Sequence, residues 1–254
     1  MSRTAIVSAM REELHELLPL LRVHQVDRRG GRDFHLGRLG GHDVVCVLSG
    51  IGKVAAASTA TLLIERFDVQ RLVFTGVAGG LGDAVRVGDL VIARELLQHD
   101  LDASPIFPRH EVPLTGLKRF ATDAALTGAL ADAARAVIDR PDQALGPAFA
   151  EHAAALGLQA PALHRGLVIS GDRFVSTAAE SKALRTELPD ALAVEMEGAA
   201  VAQVCHAFGV PFAVLRTVSD RADDGAHVDF ARFVDRIASH LSAAIVQAWA
   251  KADA

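Results

Sequence analysis

The sequence has no tyrosine and no asparagine, and only two of its 254 residues are cysteine. Without Tyr there is no phenolic acid. Without Asn there is no short amide to read a base edge and no N-glycosylation acceptor. Polar chemistry therefore falls to Asp, Glu, His, Arg, Ser, Thr or Gln. Lys occurs only at 53, 118, 182 and 251, a bias that reads as the mark of a GC-rich genome. Cys46 and Cys205 each sit in an apolar run and form neither metal-ligand spacing nor a disulfide framework, so both read as buried and reduced. No apolar run reaches the ~18 residues of a membrane span. The first residues read as a strand rather than a signal peptide, which places the protein in the cytoplasm with no membrane partner. A basic excess is also missing: the formal net charge is −5 and no basic stripe exists, which argues against a nucleic-acid partner. Arg28, Arg29 and Arg32 flank Gly30 and Gly31 and read as a solvated turn.

What is present is half hydrophobic and 22% charged, a composition that supports a packed core. Short β-branched runs alternate with longer amphipathic segments. Strands are expected at 5–9, 33–38, 44–48, 71–75, 89–93, 167–170, 191–194 and 212–217, and a hairpin turn at Gly40-Gly41. Helices are expected at 11–21, 53–67, 118–139, 148–156, 177–187, 198–208 and 229–252. Residues 99–117 lose periodicity and hold Pro105, Pro108 and Pro113, so they read as a functional loop. No linker or repeat divides the chain. The expected fold is α/β: a single domain over 1–254 with a mixed, mostly parallel sheet flanked by helices.

In such folds ligands bind beyond the carboxyl ends of the strands. Each strand there runs into glycine or a carboxylate: Met10-Arg11-Glu12-Glu13, Ser49-Gly50-Ile51-Gly52-Lys53, Thr75-Gly76-Val77-Ala78-Gly79-Gly80, Gly171-Asp172-Arg173-Phe174, Glu195-Met196-Glu197-Gly198 and Ser219-Asp220. The glycines read as tight strand-to-helix turns. They are not a dinucleotide fingerprint, because a GxGxxG frame from Gly80 meets Val85 at its last position. Helix-dipole stabilisation accounts for one of Glu195 and Glu197, but two carboxylates beside an apolar strand need partners. Asp220 precedes no helical pattern until about 229, which weakens a capping role. His99-Asp100-Leu101-Asp102 reads as a hydrogen-bonded His–Asp pair in a loop, and no metal site is expected.

These segments, with Val87-Gly88-Asp89 and Ser170-Gly171-Asp172 in the same order, resemble the nucleoside phosphorylase/hydrolase superfamily, most closely its 5′-methylthioadenosine/S-adenosylhomocysteine nucleosidases. The resemblance implies cleavage of an N-glycosidic bond with release of adenine, no cofactor, a small nucleoside as substrate, and a homodimer. By position, Asp220 resembles the acid that protonates the purine, and Glu13 the residue that activates water. Glu197 resembles the carboxylate that holds the ribose hydroxyls, with Met196 and Glu195 beside it. Arg216 and Ser219 resemble supports of the ribose and the acid. Phe174 and Val175 resemble base-pocket residues, and Phe230 the wall of the 5′ substituent. Val77, Ala78 and Gly79 resemble the residues that line the sugar side in that family. Val77 stands where the family commonly has Ser.

Two other readings compete. A phosphate-dependent phosphorylase of the same superfamily carries Arg where this chain has Glu13 and Thr75, and a carboxylate there repels phosphate. A non-catalytic nucleoside-binding domain has no need to keep all three of Glu13, Glu197 and Asp220. A futalosine-type tail is a further choice of 5′ substituent.

Overall fold

Ten strands join in one sheet in the computed structural model, which describes residues 3–222 and 230–252. They are β1 (Arg3–Ser8), β2 (Arg22–Arg29), β3 (Arg32–Leu39), β4 (His42–Leu48), β5 (Val69–Gly80), β6 (Leu90–Gln98), β7 (Arg119–Ala121), β8 (Leu163–Ser170), β9 (Ala191–Glu195) and β10 (Phe212–Asp220). The sheet runs β10-β6-β8-β9-β5-β1-β4-β3-β2, β7 adds to β6, and β10 also pairs with β5. The order therefore closes on itself through β5, β10, β6, β8 and β9, while β1, β4, β3 and β2 extend from it.

Strand β5 makes that closure possible. At 12 residues and roughly 3.3 Å per residue it is long enough for two sets of neighbours. Its first half pairs in parallel with β1, and its last two residues, Gly79 and Gly80, pair antiparallel with Val194 and Ala193 of β9. Strand β10 runs parallel along its other edge from Leu72 to Gly79. Thus the glycine run expected to form a strand-to-helix turn lies inside β5. Glycine weakens a strand but lets it bend and lets other groups approach its backbone.

Helices cover both faces. On one side α2 (Lys53–Phe67) packs with α7 (Gly198–Phe208); Leu63, Phe67, Val201 and Cys205 meet Phe34 and Phe74 of the sheet there. On the other, α3 (Ala124–Ile138) packs with α9 (Ser239–Ala252); Leu130, Ile245 and Trp249 meet Ile6 and Val73. The remaining short helices are α1 (Arg11–Leu14), α4 (Pro141–Ala144), α5 (Pro147–Ala155), α6 (Ala178–Glu187) and α8 (Phe230–Phe233). Cys46 and Cys205 are both buried and unpaired, and burial pushes both thiols up, that of Cys205 to about 12. Among the described residues no helix is long and apolar enough to cross a membrane.

Several element boundaries differ from expectation for identifiable reasons. The helix expected over 11–21 stops at Leu14, and a 3-10 turn at Leu18–Leu20 follows, with Pro19 inside it. Strand β2 is absent from the sequence reading because it is an edge strand exposed on nearly every residue, so it shows no period-2 pattern. The helix expected from 118 begins at Ala124: residues 119–121 form β7, and Asp123 caps the helix by accepting from Leu126 N at 2.7 Å. The C-terminal helix runs on through a π-helical stretch at Val234–Ala238, and residue 229 lies outside the described residues.

Trp249 anchors the α3/α9 side. It is 1% exposed, stacks on His42 at 5.7 Å and carries the Arg71 guanidinium 5.1 Å from its ring centroid. Trp249→Ala is expected to cost about 3–5 kcal/mol, read as a lowered urea midpoint at unchanged slope. A loss under about 1 kcal/mol contradicts this packing account.

Candidate active site

The carboxyl ends of β1, β5, β9 and β10 converge on one half-open cavity of about 170 Å³. It is lined by Ala9, Met10, Glu13, Ile51, Val77, Ala78, Gly79, Arg173, Phe174, Val175, Val194, Glu195, Met196, Glu197, Ser219, Asp220 and Phe230. Segments from seven places in the sequence converge there. Every residue expected at the site lines it except Arg216, which is buried behind the wall.

Glu13 is the third residue of α1, and its side chain folds back over that helix's start. Oε2 accepts from Ala9 N and Met10 N, each at 2.8 Å, and Oε1 accepts from Val77 N at 2.9 Å. This is half of a capping box, so the local fold of α1 presents the carboxylate. Burial raises its pKa, while the Arg216 charge and the three amides pull the other way. Gly76 makes this approach possible: a Cβ there would stand 2.7 Å from Glu13 Oε1 and 3.3 Å from Arg216 Nη1.

Glu195 and Glu197 have separate duties. The Glu195 carboxylate caps α7: it accepts from Glu197 N at 3.1 Å and from Gly198 N at 2.8 and 3.0 Å. That leaves Glu197, also at the start of α7, with no capping bond from its own side chain. Its Oε1 instead accepts from Gly52 N at 2.7 Å. Burial first, and the neighbouring Glu195 charge second, push the Glu197 carboxyl up to about 8.

Asp220 ends β10. Its Oδ2 accepts from Ser219 Oγ and its Oδ1 from Ala222 N, both at 2.7 Å. Gly79 leaves room for it, since a Cβ at 79 would come within 3.0 Å of Asp220 Oδ1 and 2.9 Å of Ala222 Cβ. Phe174 and Phe230 meet edge to face at 6.0 Å on the cavity wall, and Phe174 is 41% exposed.

Sequence reasoning missed several contributors. Ile51 and Arg173 line the cavity. Ser170 bonds to Glu195 Oε1, a contact set by the register of β8 on β9, where Ser170 faces Glu195. Gly52 was legible as a turn glycine, but its amide's partner was not. The His99–Asp100 pair is not formed: Asp100 binds Lys53 Nζ at 2.6 Å and Asp172 N at 2.8 Å, while His99 Nε2 is buried and has no hydrogen-bond partner among the described residues. Burial lowers the pKa of His99. Among the described residues no group of three or more His, Cys, Asp or Glu is arranged to hold a metal ion.

Residues 3–251 match the Phosphorylase superfamily. The chain belongs to that superfamily. It is 39% identical to the 5′-methylthioadenosine/S-adenosylhomocysteine nucleosidase of Shewanella denitrificans over 96% of this chain and 97% of the relative. The crystal structure of the 5′-methylthioadenosine/S-adenosylhomocysteine nucleosidase of Neisseria meningitidis in complex with methylthio-immucillin-A superposes with a TM-score of 0.86 at 34% identity, covering 99% of this chain and all of that one. The native structure of Helicobacter pylori futalosine hydrolase superposes with a TM-score of 0.79 at 33% identity, covering 97% of each chain.

Proposed function

We propose that the protein hydrolyses the N-glycosidic bond of 5′-substituted adenosines, 5′-methylthioadenosine and S-adenosylhomocysteine, releasing adenine and the 5′-thioribose. The observation that carries this reading is Glu13. Three backbone amides hold its carboxylate where a phosphorylase would need cations, and Arg173 is the only basic side chain among the cavity's described lining residues. A site of that charge repels phosphate and accepts water.

The chemistry assigns roles to the three carboxyl groups. Adenine is a poor leaving group as an anion, so Asp220 protonates it as the bond lengthens. The sugar gains oxocarbenium character, and Glu197, holding the ribose hydroxyls, stabilises that charge more in the transition state than in the ground state. Glu13 orients water and takes its proton. This is the two-carboxylate logic of inverting glycosidases applied to a C–N bond. Met196 packs beside the sugar, Ser219 supports the acid, Phe174 and Val175 take the base, and Phe230 walls the 5′ group. Val77 contributes its amide to Glu13 and an apolar side chain to the cavity. The absence of Asn suits adenine better than a 6-oxopurine.

The single connected sheet supports reading the chain as one domain. The exposed apolar residues Ile51, Val54, Ile106 and Leu114 support a homodimer. Incubation with 5′-methylthioadenosine without phosphate is expected to yield adenine and free methylthioribose. Product that requires phosphate overturns the hydrolase assignment. Faster turnover of futalosine in the same assay moves the 5′ preference to that tail.

A further inference from the structure

Glu195 lines the cavity, yet its carboxylate is already saturated. Oε1 accepts from Ser170 Oγ and Gly198 N; Oε2 accepts from Glu197 N, Gly198 N and, at 2.7 Å, Arg216 Nη2. Ser170 Oγ in turn accepts from Ala199 N at 2.7 Å, so three successive amides at the start of α7 converge on this assembly. Both side chains of the ion pair are all but fully buried, at 3% and 1% exposure. A carboxylate with this many donors has little capacity left for a sugar hydroxyl.

Arg216 is fixed as firmly. Its Nη1 donates to Phe74 O at 3.4 Å and Leu215 O at 3.2 Å, and its guanidinium lies over the Phe74 ring at 4.2 Å. Nη1 and Glu13 Oε1 flank the same point above Gly76. A positive charge therefore stands behind Glu13, tied to a negative charge that also fixes the backbone of Glu197.

We propose that Glu195 is a positioning residue rather than a substrate ligand: it holds Arg216 behind Glu13 and pins the first turn of α7 that carries Glu197. This role rests on the nucleosidase reading. It gives physical sense to a buried ion pair, which by itself adds little to stability. The pair fixes how much positive charge Glu13 and Glu197 experience. The other charged groups around them are Asp220 from β10, Arg173 and Asp172 after β8, Lys53 at the start of α2, and His99 and Asp100 after β6.

The test is the pH profile of kcat/KM for adenine release, whose acid limb reports ionisation of the base. Glu195→Gln keeps an acceptor for the helix amides but leaves Arg216 without its counter-charge. The acid limb is then expected to move down by about one pH unit, with kcat falling about tenfold. Arg216→Met removes the positive charge, and the limb is expected to move up by a similar amount. The opposite signs keep the proposal testable if one variant does not fold. A merely structural pair lowers stability in both variants and leaves the limb where it was, which overturns the positioning role alone. No adenine from the wild-type protein overturns the nucleosidase reading and this role with it.

Discussion

Asp220→Asn lowers kcat/KM for 5′-methylthioadenosine by about 10²–10⁴-fold while the protein stays folded, the expected result if Asp220 is the general acid. The amide matches the carboxyl group in shape but has no proton to deliver at this pH. Its surroundings can accommodate it. The Asn oxygen can accept from Ala222 N where Oδ1 does now, and its NH₂ can donate to Ser219 Oγ in place of the bond at Oδ2. The unfolding free energy should therefore stay within about 1 kcal/mol of wild type. Substrate binding should change less than turnover, because protonation of the base is completed only in the transition state. Steady-state assays by adenine release, paired with urea unfolding, check both halves. Turnover within tenfold of wild type removes Asp220 from the mechanism. Collapse of the fold shows instead that its hydrogen bonds are structural.

Glu197→Gln is expected to move activity and stability in opposite directions. Turnover should fall about 10²–10³-fold, because a neutral amide cannot balance the charge that develops on the sugar. Stability should rise. The Glu197 carboxyl is pushed up to about 8 from an ordinary 4.5. Between those values the folded protein holds a proton that the unfolded chain has released. Stability therefore declines as pH rises through this window, and above it the folded state bears the full cost of a buried charge. Gln removes that cost and can keep the bond from Gly52 N. Thermal unfolding at pH 6 and pH 9 should show the variant melting above wild type, by more at pH 9. A lower Tm at pH 9 would mean that Glu197 is held ionised by partners, and the burial argument would fail. The opposition has a general cause: the carboxylate that balances positive charge on the sugar is costly to ionise in the buried site while that site is empty.

The carboxylates were legible in the sequence because position in an α/β chain is informative. Glu13, Glu197 and Asp220 each follow an apolar strand, and strand ends in such folds face a common crevice. The helices α2 and α7 were legible to the residue because each has a clear apolar face. Strand β2 was not, because an edge strand with no buried face carries no pattern. Neither was the division of labour between Glu195 and Glu197. Two residues apart in the sequence, they look equivalent, and only the register of β8 on β9 brings Ser170 against one of them.

The sequence alone therefore determined which chemical groups the protein has to work with and which strand ends carry them. The missing Tyr left Asp, Glu and His as its acids and bases, and alternating strands and helices set the layered fold. Tertiary structure alone decided how those groups are charged and who holds them. The length of β5 lets the sheet close on itself. That closure buries Arg216 against Glu195 and brings the amide of Val77 to Glu13, while the turn after β4 brings the amide of Gly52 to Glu197. Desolvation and charge proximity depend on distances between residues up to about two hundred positions apart, and no local pattern in a chain encodes them.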